Sequence, residues 1–558
     1  MDNLKEIAIK KYNIWLNKAD KSLKEELENL NNEEIIDRFF KDLEFGTGGL
    51  RGKIGAGTNR INIHSIARAT QGFANYLKSL NKYPSVVIAY DTRKYSQEFA
   101  KMAASVLAAN GINVHIFKEV TATPILSFAV RYLKADAGIV ITASHNPPEY
   151  NGYKIYTSDG TQAVPHIAEE VIKEINKLDY FDGIKKINFD LGIQEGYINW
   201  INDNVFEEYI NNLESYLRSI EPNISNNIKI VYSPLHGTGL KPVKELLARL
   251  GFEVLIVEEQ AVYDSNFSTV KVPNPEEKDA FSLALTKAKN MNADLVMATD
   301  PDSDRLGVYV KENNEYIPYT GNQLGVMLSH YIINKMKILG ILPNNGLIIK
   351  TIVTTDMIKP IAKEFNIDVE ETLTGFKFIG EKIEKYKLNG KKTFIFGFEE
   401  SYGYLANDHA RDKDAVIASG LIALMASHLV SEGKTFKSYL NELYKKYGYY
   451  MEKNISFTLE GIEGLNKINK IMEKLRSNPP IKVGDLNLIN TIDYLSGVNE
   501  LPKSNVIELN YDNRLKIIGR PSGTEPKIKF YILAKGKDEK AVEKIINKSI
   551  ETINKIVI

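Results

Sequence analysis

Three times along the chain a short β-branched apolar run gives way to a helical stretch, a second run, a second helical stretch and a third run. The first set begins near Val86 (VVIAYD), Ile112 (INVHIF) and Gly138 (GIVITAS), with helical patterns over 99–109 and 125–133 between them. The second begins near Ile228 (IKIVYS), Phe252 (FEVLIV) and Ala293 (ADLVMATD), with helical patterns over 241–250 and 279–289. The third begins near Leu347 (LIIKTIV), Ile367 (IDVEETLTG) and Thr393 (TFIFGFEE). Such alternation predicts βαβ units with right-handed crossovers and sheets covered on both faces, so each set reads as one α/β domain. In sheets of this kind ligands bind beyond the carboxyl ends of the strands. The polar segments TASHNPP, TDPDSDR and FEES each follow a third run and are therefore candidate site loops at equivalent positions.

The flanks read differently. Roughly the first 44 residues have helical period, with apolar Ile7, Ile9, Tyr12, Ile14 and Leu16 followed by a Lys/Glu-rich stretch, and suggest no chemistry. From about Tyr449, two strand-like runs flank 519–526 and an amphipathic helix spans 539–556, as in a smaller α+β domain. The expected domains are 1–205, 206–320, 321–448 and 449–558.

Composition narrows the classes. A chain of 558 residues is too long for one core. Its 71 basic and 71 acidic residues cancel, leaving no overall positive field to gather nucleic acid or anionic lipid, so an anionic ligand must be caught locally. The absence of cysteine excludes a disulfide framework, thiolate metal sites and a cysteine nucleophile. With no export-signal pattern, and apolar runs such as 421–430 short of the ~20 residues that span a bilayer, a cytoplasmic protein without membrane insertion is expected.

Residues 142–152, TASHNPPEYNG, set Ser144 among His, Asn and two prolines that stiffen the backbone, so Ser144 reads as a candidate nucleophile; taken alone it reads as readily as a polar turn. A nucleophile elbow needs glycine two residues to either side, where Thr142 and Asn146 stand, so a hydrolase triad is not supported. In DPDSDR, Asp300, Asp302 and Asp304 alternate and can aim three carboxylates at one hard cation, for which Mg²⁺ is the natural occupant. An EF-hand is ruled out because Arg305 and Lys311 occupy its glycine and glutamate positions. FEESY, with Glu399, Glu400 and Ser401, suits sugar hydroxyls better than phosphate. GRPSGTEP over 519–526 joins Arg520 to the hydroxyls of Ser522 and Thr524, with Gly523 allowing close backbone approach, and reads as an oxyanion cradle or as a turn. FGTGGLRG over 45–52 lacks the last glycine of GxGxxG and follows no expected strand, so it reads as a mobile loop carrying Arg51. Lys154 and Lys377 lie beside other site loops, and each alone reads as a solvated surface lysine.

With these segments together, the chain resembles the α-D-phosphohexomutase family, and within it bacterial members akin to the phosphoglucomutase-2 and phosphopentomutase branch. TASHNPPEYNGYK looks like the family's phosphoserine loop, DPDSDR like its metal loop, FEES like its sugar loop and GRPSGTEP like its phosphate-binding loop, in the family's order and over nearly the whole length. The resemblance implies three similar α/β domains with mixed sheets plus a smaller C-terminal α+β domain around a central cleft. It implies a phosphorylated Ser144, and Mg²⁺ held by Asp300, Asp302, Asp304 and the Ser144 phosphate. Arg51 and Lys154 then fall near the transferred phosphoryl, with Lys154 a candidate acid/base. Arg305, Lys377, Glu399 and Ser401 fall on the substrate, and Arg520, Ser522, Gly523 and Thr524 on its non-reacting phosphate. The implied reaction interconverts glucose 1-phosphate and glucose 6-phosphate through glucose 1,6-bisphosphate, which also serves as activator; small sugar phosphates are the partners, and the chain acts as a monomer or small homo-oligomer. The sugar loop reads FEESYGY where dual phosphomannomutase/phosphoglucomutases often read GEMSGH, so glucose is the expected sugar. Phosphomannomutase, phosphopentomutase and glucose 1,6-bisphosphate synthase are alternatives on the same scaffold. A sugar phosphatase is disfavoured by separate sugar and phosphate loops, and a silent binding protein by the intact Ser144 and three aspartates.

Overall fold

A computed structural model describes residues 2–46, 48–459, 461–498, 501–522 and 527–557. The chain forms two compact units, Met1–Tyr319 with Gly380–Asn389 and Tyr402–His428, and Thr320–Ile379 with Gly390–Ser401 and Leu429–Ile558.

The first unit holds two mixed sheets. In the seven-stranded sheet the central order is Gly49–Lys53, Tyr150–Thr157, Ala137–Ile141, Ser85–Tyr90 and Asn113–Ile116. The last three run parallel, as βαβ logic requires, and Tyr150–Thr157 is antiparallel to Ala137–Ile141. The third run of the first set therefore sits beside the first, and its carboxyl end lies in the interior of the sheet. The five-stranded sheet repeats this, with Leu295–Thr299 between parallel Lys229–Ser233 and antiparallel Leu306–Glu312. Ala137–Ile141 and Leu295–Thr299 are buried at every position, which is why they are continuously apolar rather than alternating.

The N-terminal helices Asp2–Lys18, Lys21–Glu28 and Asn32–Phe39 close around Trp15, which packs edge-on against Phe39 at 5.9 Å and Tyr180 at 5.3 Å. They brace 54–59: Arg38 reaches Glu26 and the Ala56 carbonyl, and Thr58 donates to the Lys41 carbonyl at 2.7 Å.

In the second unit, Asp368–Thr372, Gly346–Thr351 and Thr393–Glu399 are parallel neighbours, again with the third strand beside the first. A six-stranded antiparallel sheet runs in the order Tyr449–Thr458, Lys527–Gly536, Leu515–Pro521, Ile507–Tyr511, Leu486–Asp493 and Lys482–Val483. Ile517, Ile532 and Leu509 project from one face into a core closed by Gly461–Ser477 and Glu539–Val557. Among the described residues no single helix is long and apolar enough to cross a membrane.

Candidate active site

Ser144 follows the strand Ala137–Ile141 with a left-handed backbone, φ 53°, and is 3% exposed. A non-glycine residue holds such a conformation only when its surroundings over-determine it. Here the Ser144 amide donates to Thr142 Oγ1 at 2.8 Å, and its carbonyl accepts from Arg93. Arg93 is the centre of the loop. Its fully buried guanidinium also donates to the carbonyls of Asn146, of Pro147 at 2.8 Å and of Tyr150 at 3.1 Å. It lies 3.4 Å from Asp91 and 5.0 Å from the Phe267 ring centroid. Held this way, Ser144 Oγ donates to Asp300 Oδ2 at 2.7 Å and lies 3.1 Å from His145 Nδ1. Burial, then the charges of Arg305 and Arg51, push the His145 imidazole far down from its usual value, so it is neutral.

The loop after Leu295–Thr299 brings Asp300, Asp302 and Asp304 together, each with an oxygen within 4.8 Å of the others and all buried. Ser303, between Asp302 and Asp304, is also left-handed, φ 58°. Residues 233–239, SPLHGTG, buttress the loop: Thr238 donates from its amide and hydroxyl to the Pro301 carbonyl, at 2.8 and 2.9 Å. A side chain at Gly237 would lie 2.5 Å from Pro301 Cα, so only glycine permits this approach. Burial, then repulsion from Asp302 and Asp304, pushes the Asp300 carboxyl well above its usual range. Burial presses the same way on Asp302, but Lys154 overcomes it and holds that carboxyl well below its usual range.

Lysines take one side of each of the other two aspartates. Lys154 Nζ donates to Asp302 Oδ2 at 2.9 Å and lies 3.8 Å from Asp304 Oδ2, while Lys413 Nζ is 3.1 Å from Asp304 Oδ2. Asp302 Oδ1 and Asp304 Oδ1 are buried without a hydrogen-bond partner. A carboxylate anchored through one oxygen with its other oxygen orphaned, beside a third carboxylate, has the donor chemistry of a hard-cation site.

Two sequence readings are corrected. Arg51 is not on a mobile loop but on the strand Gly49–Lys53, paired through Leu50 and Tyr153 with Tyr150–Thr157. Gly49 makes this pairing feasible: at φ 145° a side chain there would lie 1.9 Å from the Tyr153 carbonyl. Arg51 Nη1 donates to Asn146 Oδ1 at 3.1 Å, and Thr47 lies outside the described residues. Lys154 is not solvated but 9% exposed on the strand beside Ala137–Ile141, and Lys377 is 8% exposed. Arg305 is half-buried and ion-paired with Glu276.

The second unit carries the other candidates. Glu399 ends the strand Thr393–Glu399, and its Oε1 accepts from the Gly375 amide at 2.9 Å, just before the helix Phe376–Asn389 that bears Lys377. Glu400 Oε2 instead accepts from Thr354 Oγ1 at 3.2 Å and Thr351 Oγ1 at 3.3 Å. Ser401 is half-buried. Arg520 lies on Leu515–Pro521, where its charge faces the Tyr531 hydroxyl. Burial and Glu400 push that hydroxyl up to about 12. The Ser522 amide donates to the Lys527 carbonyl at 2.7 Å, and Gly523 and Thr524 lie outside the described residues.

Comparisons with known proteins identify the family. The chain matches three successive phosphoglucomutase/phosphomannomutase α/β/α domains, I over 42–181, II over 207–313 and III over 320–447. The chain belongs to the phosphoglucomutase/phosphomannomutase family. A phosphoglucomutase of Staphylococcus haemolyticus is 40% identical over 88% of this chain and 90% of its own. One from Staphylococcus aureus is 39% identical over 94% and 95%. Two solved structures share the fold. A phosphoglucomutase/phosphomannomutase family protein of Burkholderia thailandensis has a TM-score of 0.67 at 18% identity, covering 92% of this chain and 97% of that one. Parafusin, a phosphoglucomutase of Paramecium in its open form, has a TM-score of 0.69 at 18% identity, covering 92% and 95%.

In this family member the sequence reading passed over Arg93, Lys413 and the 233–239 buttress. Two of these have a local signal: Arg93 follows the first run in DTR, and Lys413 sits in the charge-dense DHARDKD. What was lacking was any reason to pair them with loops 50 to 110 residues away (51 from Arg93 to Ser144, 109 from Asp304 to Lys413).

Proposed function

We propose that the chain is a phosphoglucomutase that interconverts glucose 1-phosphate and glucose 6-phosphate through phosphorylated Ser144 and a glucose 1,6-bisphosphate intermediate. The observation that carries this reading is the 2.7 Å contact of the Ser144 hydroxyl with Asp300, inside an acidic triad with two orphaned oxygens. Its setting supports the reading: a family member about 40% identical to proteins named phosphoglucomutase.

In the first half-reaction the bond between phosphorus and Ser144 Oγ breaks as one forms to the oxygen of the free sugar hydroxyl, whose proton ends on Ser144 Oγ, giving the bisphosphate. In the second half-reaction the other phosphorus–sugar oxygen bond breaks as Ser144 Oγ bonds that phosphorus, and the serine proton ends on the freed sugar oxygen. Asp300, Asp302 and Asp304, with the Ser144 phosphate, would hold Mg²⁺, which supplies charge neutralisation at the transferring oxygens when bound. Arg51 and Lys154 add positive charge around the same phosphoryl. Burial opposes the Lys154 charge, but Asp302 and Asp304 prevail and raise its proton affinity, so it is an ammonium that stabilises anionic oxygens and can give a proton to the departing sugar oxygen. Arg305, Lys377, Glu399 and Ser401 are assigned to the sugar phosphate, and Arg520, Ser522, Gly523 and Thr524 to its non-reacting phosphate.

The boundaries 1–205, 206–320, 321–448 and 449–558, glucose 1,6-bisphosphate as activator, a cytoplasmic location and a monomer or small homo-oligomer belong to the same reading. The test is turnover of glucose 1-phosphate, mannose 1-phosphate and ribose 1-phosphate with the bisphosphate present, alongside intact-mass measurement. Glucose 1-phosphate should be the best substrate, and a phosphate should map to Ser144. Absence of glucose 1-phosphate turnover, or phosphate on another residue, sinks the reading.

A further inference from the structure

An ion cluster in the second unit takes no part in the chemistry above. Lys350, fully buried, places Nζ 3.0 Å from Asp356 Oδ1 and 2.8 Å from Glu371 Oε1. Lys359 lies 2.8 Å from the same Asp356 oxygen, and Lys516 lies 3.2 Å from Asp356 Oδ2. Asp356 thus bridges three ammoniums from two parts of the chain. Desolvating such a cluster costs about what its attractions return, so its use lies in fixing registry more than in stability.

What it fixes follows from where its members sit. Lys350 Nζ also donates to the Thr354 carbonyl at 2.9 Å and the Thr351 carbonyl at 3.3 Å, shaping the turn whose two hydroxyls hold Glu400. Glu400 is the neighbour of Glu399 and Ser401 in the sugar loop. Lys516 is four residues before Arg520 on Leu515–Pro521, and strand period two puts both on one face. Tyr531, paired with Ile518, shares that face, while Ile517 and Ile532 fill the opposite face. Asp356 therefore ties the strand of the phosphate loop to the turn that holds the sugar loop, with Glu371 a weaker second tie at 3.9 Å from Lys516.

We propose that Asp356 is a positioning residue that sets the Glu399–Ser401 loop and Arg520 at the spacing one sugar phosphate requires. This deepens the mutase reading and rests on it. Asp356 touches neither loop directly, so its loss should spare transfer at Ser144 and loosen substrate.

The experiment is a kinetic comparison of wild type, Asp356→Asn, Thr354→Val and Lys359→Met with glucose 1-phosphate at saturating bisphosphate. Asp356→Asn should raise KM about tenfold with kcat within about twofold, and combined with Arg520→Ala the rise should fall short of the product of the two. Thr354→Val keeps the ions and removes a Glu400 donor, and should raise KM about three- to fivefold; it decides the matter if Asp356→Asn does not fold. Lys359→Met, which removes a cation touching neither loop, should leave KM within about twofold. Unchanged KM in Asp356→Asn or in Thr354→Val, full multiplicativity with Arg520→Ala, or an equal KM rise in Lys359→Met overturns the proposal. A wild type without turnover removes the mutase reading and this inference together, whereas an active wild type with unmoved variants removes the inference alone.

Discussion

The Ser144 hydroxyl donates to Asp300 Oδ2 across 2.7 Å, although 156 residues separate the two in the chain. Each lies in the loop after a buried strand of its own sheet, and the contact joins the candidate phosphoryl carrier to the candidate cation site. Ser144→Ala should reduce mutase turnover to background while leaving the unfolding free energy within about 1 kcal/mol, because only a hydroxyl is lost. Paired turnover and urea-unfolding measurements check this, and substantial residual activity would contradict the phosphoserine route.

Removing divalent cations should inactivate the protein, and Mg²⁺ should restore it, since three buried carboxylates with two orphaned oxygens repel one another without a cation. Asp302→Asn should weaken Mg²⁺ binding at least about tenfold by deleting one ligand charge. Calorimetric titration of the metal reads this directly, and unaltered activity after exhaustive chelation would take the metal out of the mechanism.

Arg93→Met should lower kcat about a hundredfold or more with KM little changed, because four carbonyls of the Ser144 loop lose their donor and Asp91 loses its partner. The same change should cost about 3 to 5 kcal/mol of stability, as breaking a buried pair does. Arg93→Lys cannot reproduce the forked donor set and should restore little of kcat. Wild-type kcat in Arg93→Met would mean that Ser144 holds its left-handed geometry without this residue.

Arg520→Ala should raise KM for glucose 1-phosphate by a factor of about 10 to 150, the equivalent of roughly 1.5 to 3 kcal/mol for one charge-assisted contact. More glucose 1,6-bisphosphate should be needed for full activity, because a looser grip lets the intermediate escape before it returns its second phosphate. If both the KM and the activator requirement stay at wild-type values, Arg520 does not hold the distal phosphate.

Glu452 supplies a pH test. It is half-buried, its Oε1 has no hydrogen-bond partner, and burial pushes its carboxyl from the usual 4.5 up to about 7, only partly countered by the nearby Thr355 hydroxyl. Between those values the folded chain keeps a proton that the unfolded chain has released, so Glu452 erodes stability as pH rises from about 4.5 through 7. Glu452→Gln stays neutral and should be more stable than wild type by about 1 to 3 kcal/mol at pH 8.5, with little difference at pH 5. Urea unfolding at the two pH values measures it, and a gain that is the same at both would refute the titration.

Much of this molecule was legible before any coordinates. Strands such as Ala137–Ile141 and Leu295–Thr299 were readable because burial on both faces demands continuous apolar residues, and the loops after them because polar residues crowded at a strand end have few structural uses. Alternate aspartates announce a cation by their own repulsion, which needs no partner from elsewhere in the chain. Pairing was not legible. Arg51 was assigned to a loop because GTGGLRG has the composition of one, yet Gly49 lets it dock on Tyr150–Thr157 as a strand, a contact about 100 residues away (105 from Gly49 to Lys154). Lys154 looked like surface because a lysine is buried only where opposite charge awaits it, and Asp302 and Asp304 lie on another sheet. Arg93, Lys413 and Asp356 act through what they touch, and local sequence carries no record of distant neighbours. The sequence by itself determined the elements and the chemical character of each loop, since both follow from local periodicity and residue type. Only the tertiary structure decided which charges meet, because that depends on strand order and on the burial it imposes.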